Sequence, residues 1–374
     1  MRKSLNFLNI TPGRAHCGGT MPKVKGLLER LNDDEYVIVA EGYLFEFERR
    51  GYLTAGPYTP EVVLEHPHLV KNMHEEFVHA GSDVVLAFTY YGNREKMRLI
   101  GWQDRVEEMN REALRLAKEV ADETGTLMAG NICNSTYYNP NDESTWEDIR
   151  QGMEQQVEWA VEAGADYILG ETFCEYGEAK MALEAILKNG QGKPAVMTCA
   201  PSVTDNVLSQ TMSMVEACRL LEEQGADVTG LNCVRGPQSI LPMIREVRNV
   251  CKGHIACLPV PYRCDAEHPT MQSLKGHDTG TRAFPIDLDE WFVGRTGVEN
   301  FTKECMDIGV KYLGLCCGGS AHTLRTMAET VGKKPAGSRY APKMELHTHF
   351  GDKKRGVVTY DMSIRDQIEG GMNK

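Results

Sequence analysis

The chain has 374 residues, of which 41% are hydrophobic, so it is long enough to bury a large core. Its formal net charge of −12 at pH 7 argues against nucleic acid or an anionic membrane as a partner. Twelve cysteines are spread along the chain, many of them in apolar runs, which is typical of a reduced cytoplasmic protein and not of a disulfide scaffold. We expect neither a signal peptide nor a transmembrane helix.

The predicted elements begin with an N-terminal arm over residues 1–22, followed by a short helix that ends near residue 31. The first strand is predicted at 36–41, and one helix is predicted from Thr59-Pro60-Glu61 to Ala80. A pattern then repeats in which a helix ends in glycine and an apolar strand follows within a few residues. Its copies are Ala80-Gly81-Ser82-Asp83, Ala163-Gly164-Ala165-Asp166, Gln224-Gly225-Ala226-Asp227 and Ile308-Gly309-Val310-Lys311.

This alternation predicts about eight parallel strands and therefore a (β/α)8 TIM barrel. A doubly wound open sheet is the competing fold, but no Gly-x-Gly-x-x-Gly segment follows the first strand. We assign the barrel to residues 23–334. Residues 335–374 form a C-terminal extension that we expect to pack subunits together in a homo-oligomer. The strands are predicted near 36–41, 84–91, 127–132, 167–173, 195–200, 228–234, 255–260 and 312–317.

Three cysteines follow predicted strands: Cys233 ends strand six, and the adjacent Cys316 and Cys317 end strand eight. Gly318 and Gly319 permit a bend at which both neighbouring sulfurs can turn toward one point. In a barrel all three thiols would meet at the C-terminal mouth, where active sites lie. Three thiolates suit Zn²⁺ and leave one coordination position open. The alternatives are small buried residues in a metal-free barrel, such as a lyase, or a vicinal disulfide.

Carboxylates and aromatic residues are predicted at the same mouth. Glu41 and Glu171 follow the first and fourth strands and could hold an ammonium group or act as a base, unless neighbouring backbone N–H groups or a cation satisfy them. Clustered aromatic rings would suit a quaternary ammonium or sulfonium group, although some of them must belong to the core. The aromatic residues are Tyr43, Phe45, Tyr58, Phe88, Tyr90, Tyr91 and Phe173.

Several segments resemble the zinc-dependent homocysteine S-methyltransferases, and among them the betaine-type enzymes, over residues 25–335. The resemblance is carried by Gly-Leu-Cys316-Cys317-Gly, by Asn232-Cys233, by the segment from Glu48 to Glu61 and by Phe88-Thr-Tyr-Tyr91. It implies that Cys233, Cys316 and Cys317 bind zinc. It also implies that the sulfur of homocysteine attacks a methyl group of glycine betaine, giving methionine and dimethylglycine.

The resemblance also assigns the remaining candidate residues. Glu171 would bind the homocysteine amino group and Tyr91 would lie at the donor site, so these two are the candidate catalytic residues. The candidate substrate-binding residues are Glu41, Gly42, Tyr43, Tyr58, Phe88, Thr172 and Asn232. Another onium donor (dimethylsulfoniopropionate or S-methylmethionine), another thiol acceptor, or a barrel that binds zinc and onium compounds without turnover remain alternatives.

The chain departs from the family pattern at four places. The family has Asp-Gly-Gly where this chain has Ala40-Glu41-Gly42, so either Glu41 takes over the carboxylate role or homocysteine is held differently. Thr172 stands where the family has a tyrosine, and Tyr58 stands where the betaine enzymes have a tryptophan. The C-terminal tail is shorter than the arm through which the betaine enzymes dimerise.

Overall fold

A computed structural model describes residues 24–202 and 212–347, and the strands in these residues close into a barrel. Each strand pairs in parallel with the next, and β1 pairs with β8 to close the ring. The prediction of a (β/α)8 barrel is therefore confirmed. The strands are β1 Val37–Ala40, β2 Val84–Leu86, β3 Leu127–Cys133, β4 Tyr167–Phe173, β5 Ala195–Cys199, β6 Val228–Asn232, β7 His254–Leu258 and β8 Tyr312–Leu315.

The helices lie between the strands and cover the outside of the barrel. Short 3₁₀ turns occur at 143–145, 271–273, 289–291, 336–340 and 344–346. The α-helices are α1 Leu27–Asn32, α2 Tyr43–Arg49, α3 Val62–Glu65, α4 Pro67–Ala80, α5 Arg94–Arg98, α6 Val106–Thr124, α7 Trp146–Glu162, α8 Tyr176–Asn189, α9 Met214–Glu223, α10 Pro237–Val250, α11 Arg295–Ile308 and α12 Ala321–Thr330.

Three of the four repeated segments have the form Gly-x-Asp, and they show how a helix passes into its strand. Gly81 has a φ of 119°, which ends α4 in the left-handed conformation that glycine adopts without strain. The aspartate two residues later then accepts a hydrogen bond from the backbone N–H of the preceding strand. Asp83 binds the N–H of Ile38 at 2.7 Å, and Asp166 binds that of Met128 at 2.8 Å. The repeat thus joins neighbouring strands as well as ending helices.

The two ends of the barrel differ in character. At the N-terminal end Tyr167 and Tyr312, the first residues of β4 and β8, bring their buried hydroxyls within 2.8 Å of each other inside the barrel. At the C-terminal end the strands run into loops that carry the candidate site residues. The interior is thus filled from the N-terminal end, and the site lies at the C-terminal end.

Two predicted elements differ from the structure. The helix predicted from 59 to 80 is two helices, because Pro67 begins a new helix and His66 before it has φ −138° and ψ 57°. Strand two, predicted at 84–91, ends at Leu86, and the chain then turns inward. The predicted N-terminal arm lies outside the described residues, as does the tail beyond His347. No helix in 24–202 or 212–347 is long and apolar enough to cross a membrane.

Candidate active site

The three cysteines predicted at strand ends lie together at the mouth of the barrel. The sulfurs of Cys233 and Cys317 are 3.5 Å apart, those of Cys316 and Cys317 are 3.8 Å apart, and all three lie within 4.8 Å of one another. All three side chains are buried. Thiolates bound tetrahedrally at about 2.3 Å from one zinc ion are separated by about 3.8 Å, so the spacing of these sulfurs is compatible with a zinc site.

The backbone bends at each of these strand ends. Cys233 and Val234 both have a φ of 58°, a left-handed conformation that is costly for residues with side chains. After Cys317 the chain turns at Gly318, whose φ is 95°, and a Cβ at this position would overlap the Tyr262 hydroxyl. These turns let two neighbouring cysteines face the same point, which a regular strand would prevent.

The thiols affect one another's ionisation. Hydrogen bonding with Cys316 and Cys317 lowers the pKa of Cys233 well below its ordinary value. Burial raises the pKa of Cys316, and hydrogen bonding with the Cys233 sulfur raises that of Cys317. The site therefore favours negative charge on Cys233, and a soft cation would stabilise the thiolate form of all three.

Two buried carboxylates lie beside the thiols. Oxygens of Glu41 and Glu171 and the sulfur of Cys316 all lie within 4.8 Å of one another. Glu171 is fully satisfied: it accepts hydrogen bonds from the Asn131 amide, from the Asn232 amide at 3.0 Å and from the Thr172 hydroxyl at 3.1 Å. Among the described residues no donor meets Oε1 of Glu41. A buried oxygen without a donor favours a ligand that carries N–H groups.

Asn232 connects the carboxylates to the thiols. Its amide nitrogen lies 3.4 Å from Oε2 of Glu41, 2.9 Å from the Thr172 hydroxyl and 3.9 Å from the Cys316 sulfur. Its carbonyl oxygen accepts the backbone N–H of Thr172 at 3.1 Å. Asn232 ends β6 and is followed by Cys233, so one strand end supplies both a thiol and this bridging amide.

Burial and like charge shift the ionisation of both carboxylates. Burial raises the pKa of Glu171 to about 7. Burial, and then the charge of Glu171, raises the pKa of Glu41 well above its ordinary value. A cation bound between them would stabilise both in the charged form.

Two cavities meet at this cluster. The outer cavity, of about 420 Å³, is bordered by Cys233 and Cys317 and by Thr172, Tyr58 and Tyr91. The inner cavity, of about 20 Å³, is bordered by Glu41, Glu171 and Cys316 and by Tyr43 and Phe88.

The predicted aromatic residues other than Phe173 border one of these cavities or both. Tyr58 and Tyr91 border the outer one, and both have a positive φ, 54° and 58°. Tyr43 and Phe88 border the inner one, where the Tyr43 hydroxyl lies 3.2 Å from Nδ1 of the buried His74. Gly42 borders neither cavity: a Cβ on it would overlap the carbonyl oxygen of Gly319, so its role in this structure is close backbone packing.

The structure adds residues to those predicted. Asn131 in β3 donates a hydrogen bond to Glu171. Its position as a polar amide inside an otherwise apolar strand could have marked it as a site residue from the sequence. Tyr90, predicted among the aromatic residues at the mouth but given no substrate-binding role, borders both cavities. Tyr138 and Glu178 border the outer cavity from the β3 loop and from α8, and no local sequence pattern marked them.

The fold and the site define an enzyme of the barrel class in which the reacting groups lie at the carboxyl ends of the strands. The family model described as homocysteine S-methyltransferase matches residues 38–331, and the chain belongs to this family of methyltransferases.

Individual relatives agree with this assignment, and a solved structure shares the fold. The chain is 31% identical to betaine–homocysteine S-methyltransferase 1 of Bos taurus over 326 residues, which cover 85% of this chain and 77% of that protein. It is 30% identical to S-methylmethionine–homocysteine S-methyltransferase of Mus musculus over 337 residues, 90% and 89% of the two chains. The homocysteine methyltransferase MmuM of Escherichia coli, in its metallated form, shares the fold with a TM-score of 0.60 at 16% identity, covering 81% of this chain and 99% of that one.

Proposed function

We propose that this protein transfers a methyl group from glycine betaine to the thiol of homocysteine, using a zinc ion held by Cys233, Cys316 and Cys317. The observation that carries the proposal is the convergence of these three sulfurs, within 4.8 Å of one another, beside two buried carboxylates. When bound there, zinc would lower the pKa of the substrate thiol and keep a thiolate available at neutral pH.

The carboxylates supply the site for the amino group of homocysteine. An ammonium group has three donors, and Oε1 of Glu41 is an acceptor that lacks a donor among the described residues. Glu171 adds a second negative charge, held in place by Asn131 and Asn232. With the amino group held there, the thiol of a four-carbon amino acid reaches the neighbouring cysteines, so the pair of glutamates orients the nucleophile.

The outer cavity supplies the site for the methyl donor. Tyr58 and Tyr91 line it, and aromatic faces stabilise onium groups by cation–π attraction. The sulfur attacks one methyl carbon, an S–CH₃ bond forms, the N–CH₃ bond breaks, and the bonding electron pair stays on the donor nitrogen. The donor nitrogen loses its positive charge in this step, and the products are methionine and dimethylglycine.

A second candidate donor is S-methylmethionine, because the mouse relative, at 30% identity, is named for it. Both donors are small onium compounds, and the same site would hold either. The alternative of a barrel that binds zinc and onium compounds without turnover predicts that no methionine forms.

The test is methionine formation by the zinc-loaded protein with homocysteine and a panel of glycine betaine, S-methylmethionine and dimethylsulfoniopropionate. Turnover with betaine supports the proposal. Turnover with only one of the other donors would support methyl transfer to homocysteine and replace glycine betaine as the proposed donor. No methionine from any donor, in a protein that holds stoichiometric zinc, refutes methyl transfer to homocysteine.

We also propose that residues 335–374 pack subunits together. The part of this extension that the structure describes exposes three large apolar side chains, Tyr340 at 68%, Met344 at 60% and Leu346 at 52%. Apolar side chains that are exposed together favour an interface. Light scattering of the full chain and of a chain ending at residue 334 should give different masses; equal masses would refute this role.

A further inference from the structure

The outer cavity lacks a positive charge to match the carboxylate of its proposed donor. Glu175 and Glu178 line it, whereas no lysine, arginine or histidine of the described residues does. In glycine betaine one carbon separates the carboxylate from the onium nitrogen, so both enter the cavity together. An anion placed among these carboxylates without a cationic partner is unfavourable. A zwitterionic donor therefore needs a cation from just behind the lining.

Lys96 is positioned to be that cation. It lies on α5, and its ammonium nitrogen is 4.0 Å from the centroid of the Tyr91 ring. Tyr91 itself lines the outer cavity. The four-carbon stem of lysine is flexible, so the ammonium can move from the ring toward a carboxylate beside it.

The ammonium of Lys96 has no anionic partner among the described residues. Burial lowers its pKa, and no carboxylate is close enough to counter that effect. The neighbouring Glu95 instead accepts a hydrogen bond from Arg98 at 2.9 Å. On the adjacent α4, by contrast, Lys71 is paired with Glu119 and Glu123. An anionic ligand would supply the hydrogen-bond and charge partner that this half-buried ammonium lacks.

Other cations near the site are already engaged. The Arg235 guanidinium donates to the carbonyl oxygen of Ser202 at 3.0 Å and 3.2 Å. The Arg49 guanidinium donates to the Tyr262 hydroxyl at 3.0 Å and to Asp289 at 2.7 Å. Among the described residues, Lys96 contacts a lining side chain, Tyr91, while its own donors are unoccupied.

We propose that Lys96 binds the carboxylate of the methyl donor beside Tyr91, and so selects donors that carry a carboxylate close to the onium group. This inference rests on the proposed function, since it assigns a residue to the donor of that reaction. It makes Lys96 a specificity-determining residue that acts on the donor and not on homocysteine.

The test compares two sulfonium donors that differ in the carboxylate: dimethylsulfonioacetate, the sulfur analogue of betaine, and trimethylsulfonium. Lys96→Met removes the charge and keeps the apolar stem. We expect this variant to raise the KM for dimethylsulfonioacetate and for glycine betaine about tenfold. This is the effect of losing one partly exposed charge-assisted hydrogen bond. The kcat/KM for trimethylsulfonium and the KM for homocysteine should not change, and Lys96→Arg should retain most of the preference.

Arg98→Met is the matched control, because it removes one positive charge from the same helix at an exposed side chain that is paired with Glu95. Equal losses with both sulfonium donors in Lys96→Met would overturn the inference and make Lys96 a structural neighbour of Tyr91. A wild-type preference for trimethylsulfonium would overturn it as well.

Failure of the proposed function gives a different result. If the zinc-loaded wild-type protein makes methionine from no onium donor, calorimetric binding of glycine betaine and of tetramethylammonium still decides the role of Lys96. Weaker binding of betaine alone in Lys96→Met supports the inference without turnover. Unchanged binding of betaine overturns it.

Discussion

Replacing Glu41 with glutamine should stabilise the substrate-free protein and at the same time impair its use of homocysteine. Glu41 and Glu171 have oxygens within 4.8 Å of each other and are both buried. Oε1 of Glu41 has no donor among the described residues, and Oε2 lies 3.4 Å from the Asn232 amide. Glutamine can keep its carbonyl oxygen toward Asn232 and place its NH₂ on the side that now lacks a partner.

The expected gain in stability follows from the separation of the charges. Two unit charges at the upper limit of this separation, 4.8 Å, repel by about 3.5 kcal/mol at an effective dielectric constant of 20. Proton uptake by Glu41 relieves part of this repulsion, because burial, and then the charge of Glu171, raises the pKa of Glu41 well above its ordinary value. At pH 8 we therefore expect Glu41→Gln to raise the free energy of unfolding by about 1–3 kcal/mol.

The expected loss of activity has the opposite sign. A hydrogen bond from an ammonium to a carboxylate contributes about 1.5–3 kcal/mol. Its loss should lower kcat/KM for homocysteine about tenfold to a hundredfold. The KM for the donor should change little, because Glu41 borders the inner cavity and not the outer one.

Glu171→Gln is the control, because both oxygens of Glu171 already accept amide donors, from Asn131 and Asn232. A glutamine NH₂ would face one of these donors, so this variant should gain less stability than Glu41→Gln or lose some. The assay is urea unfolding of zinc-loaded protein at pH 8 together with homocysteine kinetics. A less stable Glu41→Gln protein would refute the reasoning from like charge, and an unchanged kcat/KM would remove Glu41 from the homocysteine site.

Three further predictions test the thiols, the donor site and the core. Cys233→Ala should hold no stoichiometric zinc while keeping its circular dichroism spectrum, and Cys305→Ala, a buried cysteine on α11, should keep its zinc; stoichiometric metal in Cys233→Ala would contradict the ligand assignment. Tyr91→Ala should raise the donor KM about fivefold or more and the homocysteine KM less, and equal increases would point to a structural role. Burial lowers the pKa of His74 to about 3, so the unfolded chain alone takes up a proton as the pH falls below about 6.5. The resulting loss of stability, about 2 kcal/mol at pH 5, should be absent in His74→Gln when urea midpoints at pH 7 and pH 5 are compared.

The barrel could be predicted because each unit repeats the same local signals. Glycine ends a helix, and an apolar strand follows within a few residues, so the order of elements was readable without any long-range information. The aspartate in Gly81-Ser82-Asp83 was visible too, but its bond to the N–H of Ile38 was not, because that bond joins residues 45 positions apart. The break at Pro67 was misread because Thr59-Pro60 offered a stronger helix start upstream.

The candidate site was only partly predictable, for the same physical reason. Cysteines and glycines at strand ends are local features, so the three thiols could be proposed from sequence. The orientation of Glu41 could not be predicted from sequence. β1 ends at Ala40, and the alternation of side chains that would fix the direction of the next residue ends with it. The pairing of Asn131 with Glu171 depends on the register of β3 and β4, in which Cys133 lies opposite Glu171, and sequence does not fix that register.

Closure of the barrel is what brings the carboxylate to the thiols. In the register of β1 and β8, Ala40 lies opposite Leu315, so the next residues on the two strands, Glu41 and Cys316, leave the sheet side by side. The loops that follow also touch, since a Cβ on Gly42 would overlap the Gly319 carbonyl oxygen. A change that separates these two loops would therefore move Glu41 away from the thiols without altering either residue. Because Glu41 follows β1 and two of the three thiols follow β8, this part of the site forms only where the first and last strands meet.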